Sequence, residues 1–170
     1  MMKEIYIKSE WMARVKEVID LIIKEKLYCI LNMHNDGYYT NWLAGGMEMK
    51  DRYINIWNQI ANEFKDYNEY LIFESMDATD FFDYFIYDFD YTTLTILNQA
   101  FVNAIRNSGG NNIERFLLIA GANGDLKMTS FSKYKIPIDK SNKLAISIHY
   151  FEPYEFVYDQ YYVLSNVYRF

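Results

Sequence analysis

The stretch YCILNMHND, residues 28–36, decides how this sequence is expected to fold. Residues 28–33 of this stretch form an apolar run broken only by Asn32, and His34, Asn35 and Asp36 follow at once. A short apolar run of this kind, bounded by charge and turn residues, is typical of a strand buried on both faces. In folds built on parallel strands, ligands bind at the carboxyl ends, where these polar residues lie.

Three further apolar runs have the length of short strands, and three amphipathic segments have the length of helices. The runs are YLIFESM at 70–76, FLLIA at 116–120 and KLAISI at 143–148. Helical spacing of apolar residues extends over 9–24, 50–65 and 93–107, with Ser9 as the expected N-cap and Gly109–Gly110 as the expected stop. Residues 38–49 and 121–142 are predicted as loops, the second with one helical turn. Helices alternating with strands predict an α/β fold of parallel β/α units.

The composition limits the classes of protein to which this chain can belong. Its 170 residues, 51% of them apolar, suffice for one domain with a sizeable core. A net charge of -6 argues against a nucleic-acid partner, because phosphate binding requires Lys and Arg. No apolar run reaches the roughly 18 residues of a membrane span, and residues 1–4 lack the apolar segment of a secretory signal. A single cysteine, Cys29, excludes an internal disulfide and a CxxC metal site.

Both histidines of the sequence follow predicted strands. His34 follows the first strand, Asp77 the second and His149 the fourth, so the parallel fold is expected to bring them to one end of the sheet. Two interpretations remain open here, namely structural histidines or members of a ligand site. A facial metal triad of both histidines with Asp36 is a further alternative, although no metal-ligand spacing supports it.

Carboxylates near the same strand ends suggest carbohydrate chemistry as another possibility. Asp36, Asp77, Asp80 and Glu152 are candidates for the paired carboxylates of glycoside hydrolysis. A nucleophilic thiol is less well supported, because Cys29 lies within a strand and is expected to be an inert core residue.

Aromatic residues make up 19% of the chain, which either an aromatic-lined groove or codon bias could produce. The segment DATDFFDYFIYDFDY at 77–91 interleaves Asp with Phe and Tyr, which suits a sugar-binding groove or a lid packed on its own rings. Trp42, in the loop after the first strand, is the candidate for a platform on which a sugar ring stacks.

Several segments taken together resemble glycoside hydrolase family 5, the cellulase-type endo-β-1,4-glucanases. They are EWMARVKEVIDLII at 10–23, YCILNMHND at 28–36, IWNQIANEFKDYNEYLIFESM at 56–76, LNQAFVNAIRNSGGNNIERFLLIAG at 97–121 and KLAISIHYFEPYEF at 143–156. The resemblance implies a (β/α)8 TIM-type barrel that hydrolyses β-1,4-glucans with retention, using one Glu as acid/base and another as nucleophile. It also implies that residues 1–170 form a single partial domain with about four parallel strands, similar to the third to sixth of the barrel. The strand that carries the nucleophile is expected to be absent.

The sequence departs from the family pattern at the residues that carry the chemistry. The family has an Asn-Glu pair after its fourth strand, and here Asp77 stands at the Asn position and Ala78 at the acid/base position. The family has His-x-Tyr after its sixth strand, and here the corresponding residues are His149, Tyr150 and Phe151. A methyl group cannot protonate a leaving oxygen, and Phe151 has no hydroxyl to orient a nucleophile.

These departures lead to two hypotheses of function. By resemblance the chain is a retaining endo-β-1,4-glucanase, and by its chemistry it is predicted to be inactive as given; the alternative is a non-catalytic glycan-binding or assembly fragment. The expected binding residues for β-glucan or cello-oligosaccharide are His34, Trp42, Asp77, His149 and Tyr150. We expect no cofactor, metal, nucleic acid or membrane partner, and we expect a homo-oligomer, because four barrel strands leave two edges unpaired. The family implies an extracellular location, although the chain shows no signal peptide.

Overall fold

The structure is a computed structural model that describes residues 6–34, 46–77, 89–151, 153 and 157, with the backbone alone for 46–49. Its helices are α1 (Ser9–Lys24), α2 (Gly46–Phe64), α3 (Tyr91–Asn107) and the short α4 (Leu126–Thr129), and its strands are β1 (Cys29–Asn32), β2 (Leu71–Glu74), β3 (Leu117–Ala120) and β4 (Leu144–Ser147). Two 3-10 turns, Gly110–Ile113 and Ala122–Gly124, precede β3 and α4.

The four strands form one parallel sheet in the order β1-β2-β3-β4. One row of paired residues runs through Leu31, Phe73, Leu117 and Leu144, so the register is continuous from edge to edge. The prediction of parallel β/α units is confirmed, and each strand lies within two residues of its predicted bounds.

The helices cover one face of this sheet and form the core with it. Trp57 of α2 is fully buried between Phe73 of β2, at 5.8 Å between ring centroids, and Phe101 of α3, at 4.6 Å. Tyr53 and Phe64 of α2 are also inaccessible to solvent. Each such side chain contributes about 1.5–3 kcal/mol when it is buried, so α2 and α3 fix the outer layer against β2 and β3.

Three sequence predictions about these elements are wrong in detail. Strand β1 is not buried on both faces, because Ile30 is 53% exposed on the side of the sheet that no described helix covers. Ser9 does not cap α1; Lys8 takes that position, and the Ser9 hydroxyl contacts Glu10 instead. The helix expected at residue 50 begins at Gly46.

Helix α3 begins two residues before its predicted start. The carboxylate of Asp90 accepts a hydrogen bond from the Thr93 backbone N–H at 2.9 Å, which caps the helix. Its end agrees with the prediction, because Gly109 and Gly110 take positive φ angles of 77° and 58° after the last turn.

A buried guanidinium, Arg115, holds the amino end of the sheet together. Its side chain is 3% exposed and donates to the backbone carbonyls of Phe64, Tyr67, Asn68 and Leu71 at 2.6–3.1 Å. Its Nε donates to Asn112 Oδ1 at 2.6 Å. Burial, with a smaller contribution from nearby Arg106, lowers the pKa of Arg115 to about 10. The guanidinium therefore ties the end of α2 to the start of β2 and β3 through backbone acceptors.

A second arginine at this end of the sheet forms an ion pair. Arg106 donates to Asp139 through Nε at 2.8 Å and through Nη2 at 2.9 Å, and its Nη1 donates to the carbonyls of Asn112 and Arg115. The hydrogen bond from Arg106 holds the pKa of Asp139 below its usual value. The pair fixes the segment before β4 against the end of α3.

Candidate functional site

The carboxylate of Asp77 lies between the two histidines at the carboxyl end of the sheet. Its Oδ2 is 2.9 Å from His34 Nε2 and its Oδ1 is 3.3 Å from His149 Nε2. These distances bring both ring nitrogens within ion-pair range of one carboxylate, which can interact favourably with a hydrogen on either Nε2. The His34 side chain is 60% exposed and that of Asp77 is 17% exposed, so the trio is open to solvent on the His34 side.

Backbone hydrogen bonds set the positions of these three residues. The Asp77 N–H donates to the Met33 carbonyl at 3.3 Å, and the His149 N–H donates to the Gly124 carbonyl at 2.8 Å. Gly124 takes a positive φ of 62°, which a glycine adopts without strain and which turns its carbonyl toward the end of β4. The trio thus joins the ends of β1, β2 and β4.

The close approach of β3 to β4 beneath His149 depends on Gly121. Its N–H donates to the Ser147 carbonyl at 3.0 Å. A Cβ at residue 121 would lie 2.6 Å from Thr129 Oγ1 and 2.9 Å from the Ser147 carbonyl oxygen, closer than such atoms approach. A glycine is therefore required where the backbone passes from β3 to the turn that holds His149.

A buried polar network fixes the end of β2 from the helix side, two residues before Asp77. Ser75 Oγ donates to Asn98 Oδ1 at 2.9 Å and accepts from the Ala120 N–H at 2.9 Å, and Asn98 Nδ2 donates to the Ala120 carbonyl at 3.0 Å. The Ser75 carbonyl accepts from Tyr53 Oη at 2.9 Å and from Trp57 Nε1 at 3.2 Å. The network joins β2 to α2, α3 and β3 and so limits the movement of Asp77.

A second polar cluster lies on the opposite side of β2, which the helices do not cover. Glu74 is 7% exposed, and its Oε2 accepts from Asn32 Nδ2 at 2.8 Å while its Oε1 accepts from Ser147 Oγ. Ala120, the β3 residue paired with Ser147, has a side chain small enough to let Glu74 reach across. This cluster connects the same three strands as the histidine–aspartate trio.

The sequence places His34, Asp77 and His149 at one end of the sheet, where the structure has them, but it predicts neither their mutual contacts nor the two clusters that support them. The sequence pattern treats Ser75 and Glu74 as parts of an apolar strand and Asn98 as a position on an amphipathic helix. The available signal was a polar residue at a buried position of an otherwise regular pattern, namely Asn98 directly after Leu97 and Glu74 directly after Phe73.

The remaining site candidates are placed less closely or lie outside the described residues. Tyr150 is 66% exposed and the Phe151 ring meets the His149 ring edge-on at 5.8 Å, so both aromatic residues lie beside the trio at the end of β4. Residues outside the described part of the chain are Asp36, Trp42, Ala78, Asp80 and Glu152, together with 81–88 of the acidic-aromatic segment. The proposed triad with Asp36 is therefore not described, and the described residues include no group of three or more His, Cys, Asp or Glu suited to a metal ion.

Two further features bear on the alternatives considered from the sequence. Cys29 is buried in the core, and burial raises the pKa of its thiol, so it has the environment of an inert core residue. Among the described helices, none combines the length and apolar character needed to cross a membrane.

A parallel sheet with helices on one face and a polar site at its carboxyl end defines this chain as a partial β/α barrel of the TIM type. The family model for cellulase (glycosyl hydrolase family 5) matches residues 2–167. The chain therefore belongs to glycosyl hydrolase family 5.

Individual relatives agree with this assignment and show how much of a barrel the chain represents. Endoglucanase A of Paenibacillus barcinonensis is 32% identical, over 88% of this chain and 42% of that protein. The structure of a GH5-4 broad-specificity endoglucanase from an uncultured bovine rumen ciliate is 50% identical with a TM-score of 0.82, over 91% of this chain and 43% of that one. A glycoside hydrolase 5 lichenase from Caldicellulosiruptor sp. F32, solved with cellotetraose, is 32% identical with a TM-score of 0.79, over 91% and 46%. The chain spans less than half the length of these relatives.

Proposed function

We propose that these 170 residues bind β-1,4-linked gluco-oligosaccharides weakly and do not hydrolyse them. The observation that carries the proposal is the Asp77 carboxylate held by two imidazoles at the carboxyl end of the sheet, with Ala78 as the next residue in the sequence. The substrate class is suggested by the endoglucanase relatives and by the cellotetraose bound to one of them. Cell-wall glucans lie outside cells, so an extracellular site of action belongs to the same proposal.

The absence of hydrolysis is argued from the groups that a retaining mechanism needs. One carboxylic acid must protonate the leaving oxygen and a second carboxylate, about 5 Å away, must attack the sugar. Ala78 has no acid, and the Asp77 carboxylate already lies within ion-pair distance of two imidazoles. Glu74 is a second carboxylate near this end of β2, but it is buried and bonded to Asn32 and Ser147. Neither Asp77 nor Glu74 is therefore free to act as the acid or the nucleophile.

Binding is argued from the groups that remain accessible. His34 presents its second ring nitrogen, Nδ1, as a partner for a sugar hydroxyl while Nε2 is held by Asp77. The exposed rings of Tyr150 and Phe151, at the end of β4, offer apolar faces on which the C–H face of a pyranose can stack. We include Trp42 in this binding surface on the grounds of the sequence alone. Few polar contacts and an open surface lead us to expect millimolar affinity.

Two assays on the purified chain test this proposal. Reducing-sugar release from carboxymethylcellulose is expected to stay at the background level, and the single substitution Ala78→Glu is not expected to restore it, because only one of two required carboxylates returns. Titration with cellotetraose, followed by the NMR signals of the two histidines, is expected to shift both in the millimolar range.

A matched pair of variants separates the site from a general surface effect. Asp77→Ala is expected to weaken cellotetraose binding about tenfold, the value of a hydrogen bond to a charged group. Glu114→Ala removes an exposed carboxylate that precedes Arg115 at the other end of the sheet, and it is expected to leave binding unchanged. Turnover by the wild-type chain, or histidine signals unmoved by millimolar sugar, would refute the corresponding half of the proposal.

A homo-oligomer is a second element of the proposal, supported by surfaces that lack a cover. In the described part of the chain β1 and β4 each pair with a single strand, whereas every strand of a closed barrel has two neighbours. Large apolar side chains are exposed near both edges, among them Trp11 of α1, Ile30 of β1 and Ile146 of β4. Two copies would supply the eight strands of a barrel and would bury roughly 1,600 Å² or more.

Light scattering at micromolar concentration measures this directly. A dimer or larger species is expected, with the fraction of oligomer increasing with protein concentration. A 20.4 kDa monomer that melts cooperatively would contradict it, because it would show that a single copy tolerates or covers its own edges.

A further inference from the structure

We infer that Glu74 is a positioning residue for the histidine–aspartate trio. Through Asn32 and Ser147 it fixes β1 and β4 relative to β2, and thereby places the Nε2 atoms of His34 and His149 beside the Asp77 carboxylate. The inference deepens the proposed function in that the trio is the centre of the proposed glycan site.

The spacing along the strands connects the two polar layers. Asn32 is the last residue of β1 and Ser147 the last residue of β4, and one residue separates each of them from His34 and His149. The Asn32–Glu74–Ser147 layer therefore closes the sheet directly before the histidines. Because each histidine is so close to a strand end that Glu74 holds, we expect a shift of that strand end to move the imidazole.

Glu74 can connect β1 and β4 because its side chain is long enough to pass over β3. We call this side-chain link through Asn32 and Ser147 the brace. Strands β2 and β4 are separated by β3, which places them about 10 Å apart. A hydrogen bond between their side chains therefore needs a long residue on one strand, and Ala120 leaves the space between them open. On the other side of β2, the Asn32 side chain closes the shorter distance to the same carboxylate.

The burial of Glu74 gives the brace its strength. A carboxylate that is 7% exposed is costly unless both oxygens are hydrogen-bonded, and here each oxygen has a partner on a different strand. Movement of either edge strand would leave one oxygen without its partner. Because β1 and β4 have one strand neighbour each among the described residues, this side-chain link supplies a restraint that their backbone pairing does not.

NMR of the two imidazoles tests the inference, because the chain has only two histidines. In the wild type both rings are expected to show the Nε2–H form, because a carboxylate beside Nε2 favours a hydrogen on that nitrogen. In Glu74→Ala both rings are expected to lose this signature and to show the tautomer mixture of a free imidazole. Glu74→Gln keeps the length of the side chain and can bond both neighbours after the Asn32 amide rotates, so it is expected to retain the wild-type signature.

Leu118→Ala is the matched control, since Leu118 of β3 pairs with Glu74 and its truncation loosens the same layer without breaking the brace. It is expected to leave both rings unchanged. If Glu74→Ala does not fold, Ser147→Ala serves in its place and is expected to affect His149 more than His34. Retention of both signatures in Glu74→Ala, or equal losses in Glu74→Ala and Leu118→Ala, would overturn the inference.

The ring signals also keep this inference separate from the proposed function. A wild-type chain that fails to bind cellotetraose refutes the proposed function, whereas the tautomer signatures still report on the brace. Where cellotetraose binds, Glu74→Ala is expected to weaken it about as much as Asp77→Ala does, about tenfold, and Glu74→Gln is expected to restore it.

Discussion

The charged side chains at the two ends of the sheet have different kinds of partner. At the amino end, Arg115 is almost fully buried and four of its five acceptors are backbone carbonyls. At the carboxyl end, Asp77 is bonded to two side chains, of which His34 is largely exposed. Backbone acceptors persist whatever residues the sequence carries, whereas imidazoles can be replaced singly. The first end is therefore suited to stability and the second to a site whose chemistry can vary.

The largest effect is expected from removing the cation of the amino end. Arg115→Met keeps much of the side-chain volume but leaves Asn112 Oδ1 and several buried carbonyls without donors, so we expect a loss of about 3 kcal/mol or more in the free energy of unfolding. Urea titration measures this as a lower midpoint at an unchanged slope. The exposed arginine variant Arg14→Ala is the control and should keep the wild-type midpoint. A midpoint in Arg115→Met equal to that of the control would remove the distinction between the two ends.

The buried network behind the carboxyl end is expected to have the next largest effect. Ser75→Ala leaves Asn98 Oδ1 and the Ala120 N–H without their partner, at a cost of about 2 kcal/mol. Thermal unfolding followed by circular dichroism is the measurement. A loss this large would show that the site end is stable on its helix side and variable only where its side chains reach solvent. A negligible loss would instead make the whole carboxyl end less stable than the amino end.

Acid is expected to weaken the amino end through Asp139. The pKa of Asp139 is lower in the folded chain than its usual value, because Arg106 donates to it. Such a carboxyl stabilises the fold at pH values above its unfolded pKa of about 3.9, and this contribution disappears as the pH falls through the lower folded value. The urea concentration at the midpoint, measured from pH 6 downward, should therefore decrease once the pH is below about 4. The variant Asp139→Asn should show a smaller decrease. An equally steep decline in the variant would place the acid-sensitive groups elsewhere.

The smallest change in stability is expected at the exposed side of the trio. His34→Ala removes one largely exposed contact to the Asp77 carboxylate, so the free energy of unfolding should change by less than about 1 kcal/mol. Chemical denaturation of this variant beside Arg115→Met gives the comparison its sharpest form. A loss comparable to that of Arg115→Met would mean that the trio is a structural element and that the contrast between the two ends is wrong.

Much of the fold could be predicted from the sequence because it depends on local periodicity. The alternation of helices and strands and the stop at Gly109–Gly110 follow from patterns within about twenty residues. The exposure of Ile30 could not be predicted, because burial of a strand's second face depends on what the rest of the molecule places there. The cap of α3 was missed because Asp90 lies in a segment with several equivalent acids, and only the folded geometry selects one.

The site was only partly predictable for a related physical reason. The sequence predicts that His34, Asp77 and His149 lie at one end of the sheet, because parallel strands align their carboxyl ends. The residues that support them could not be predicted, since Ser75 and Glu74 acquire their partners across 45 and 73 positions of the chain. At such separations, the local sequence can show a polar residue at a buried position of a pattern, but it does not identify the residue that becomes its partner.

The separation between Glu74 and Ser147 also has a consequence for the order in which the chain is completed during translation. Glu74 is synthesised 73 residues before its partner, which at about 5–20 residues per second is a delay of roughly 4–15 s. During that interval the carboxylate has Asn32 as a partner but lacks its bond across β3. Until β4 is synthesised, the Glu74 carboxylate therefore remains a hydrated charge on the uncovered face of the sheet. Burying that charge without its partner is costly, which disfavours association of this face with other chains.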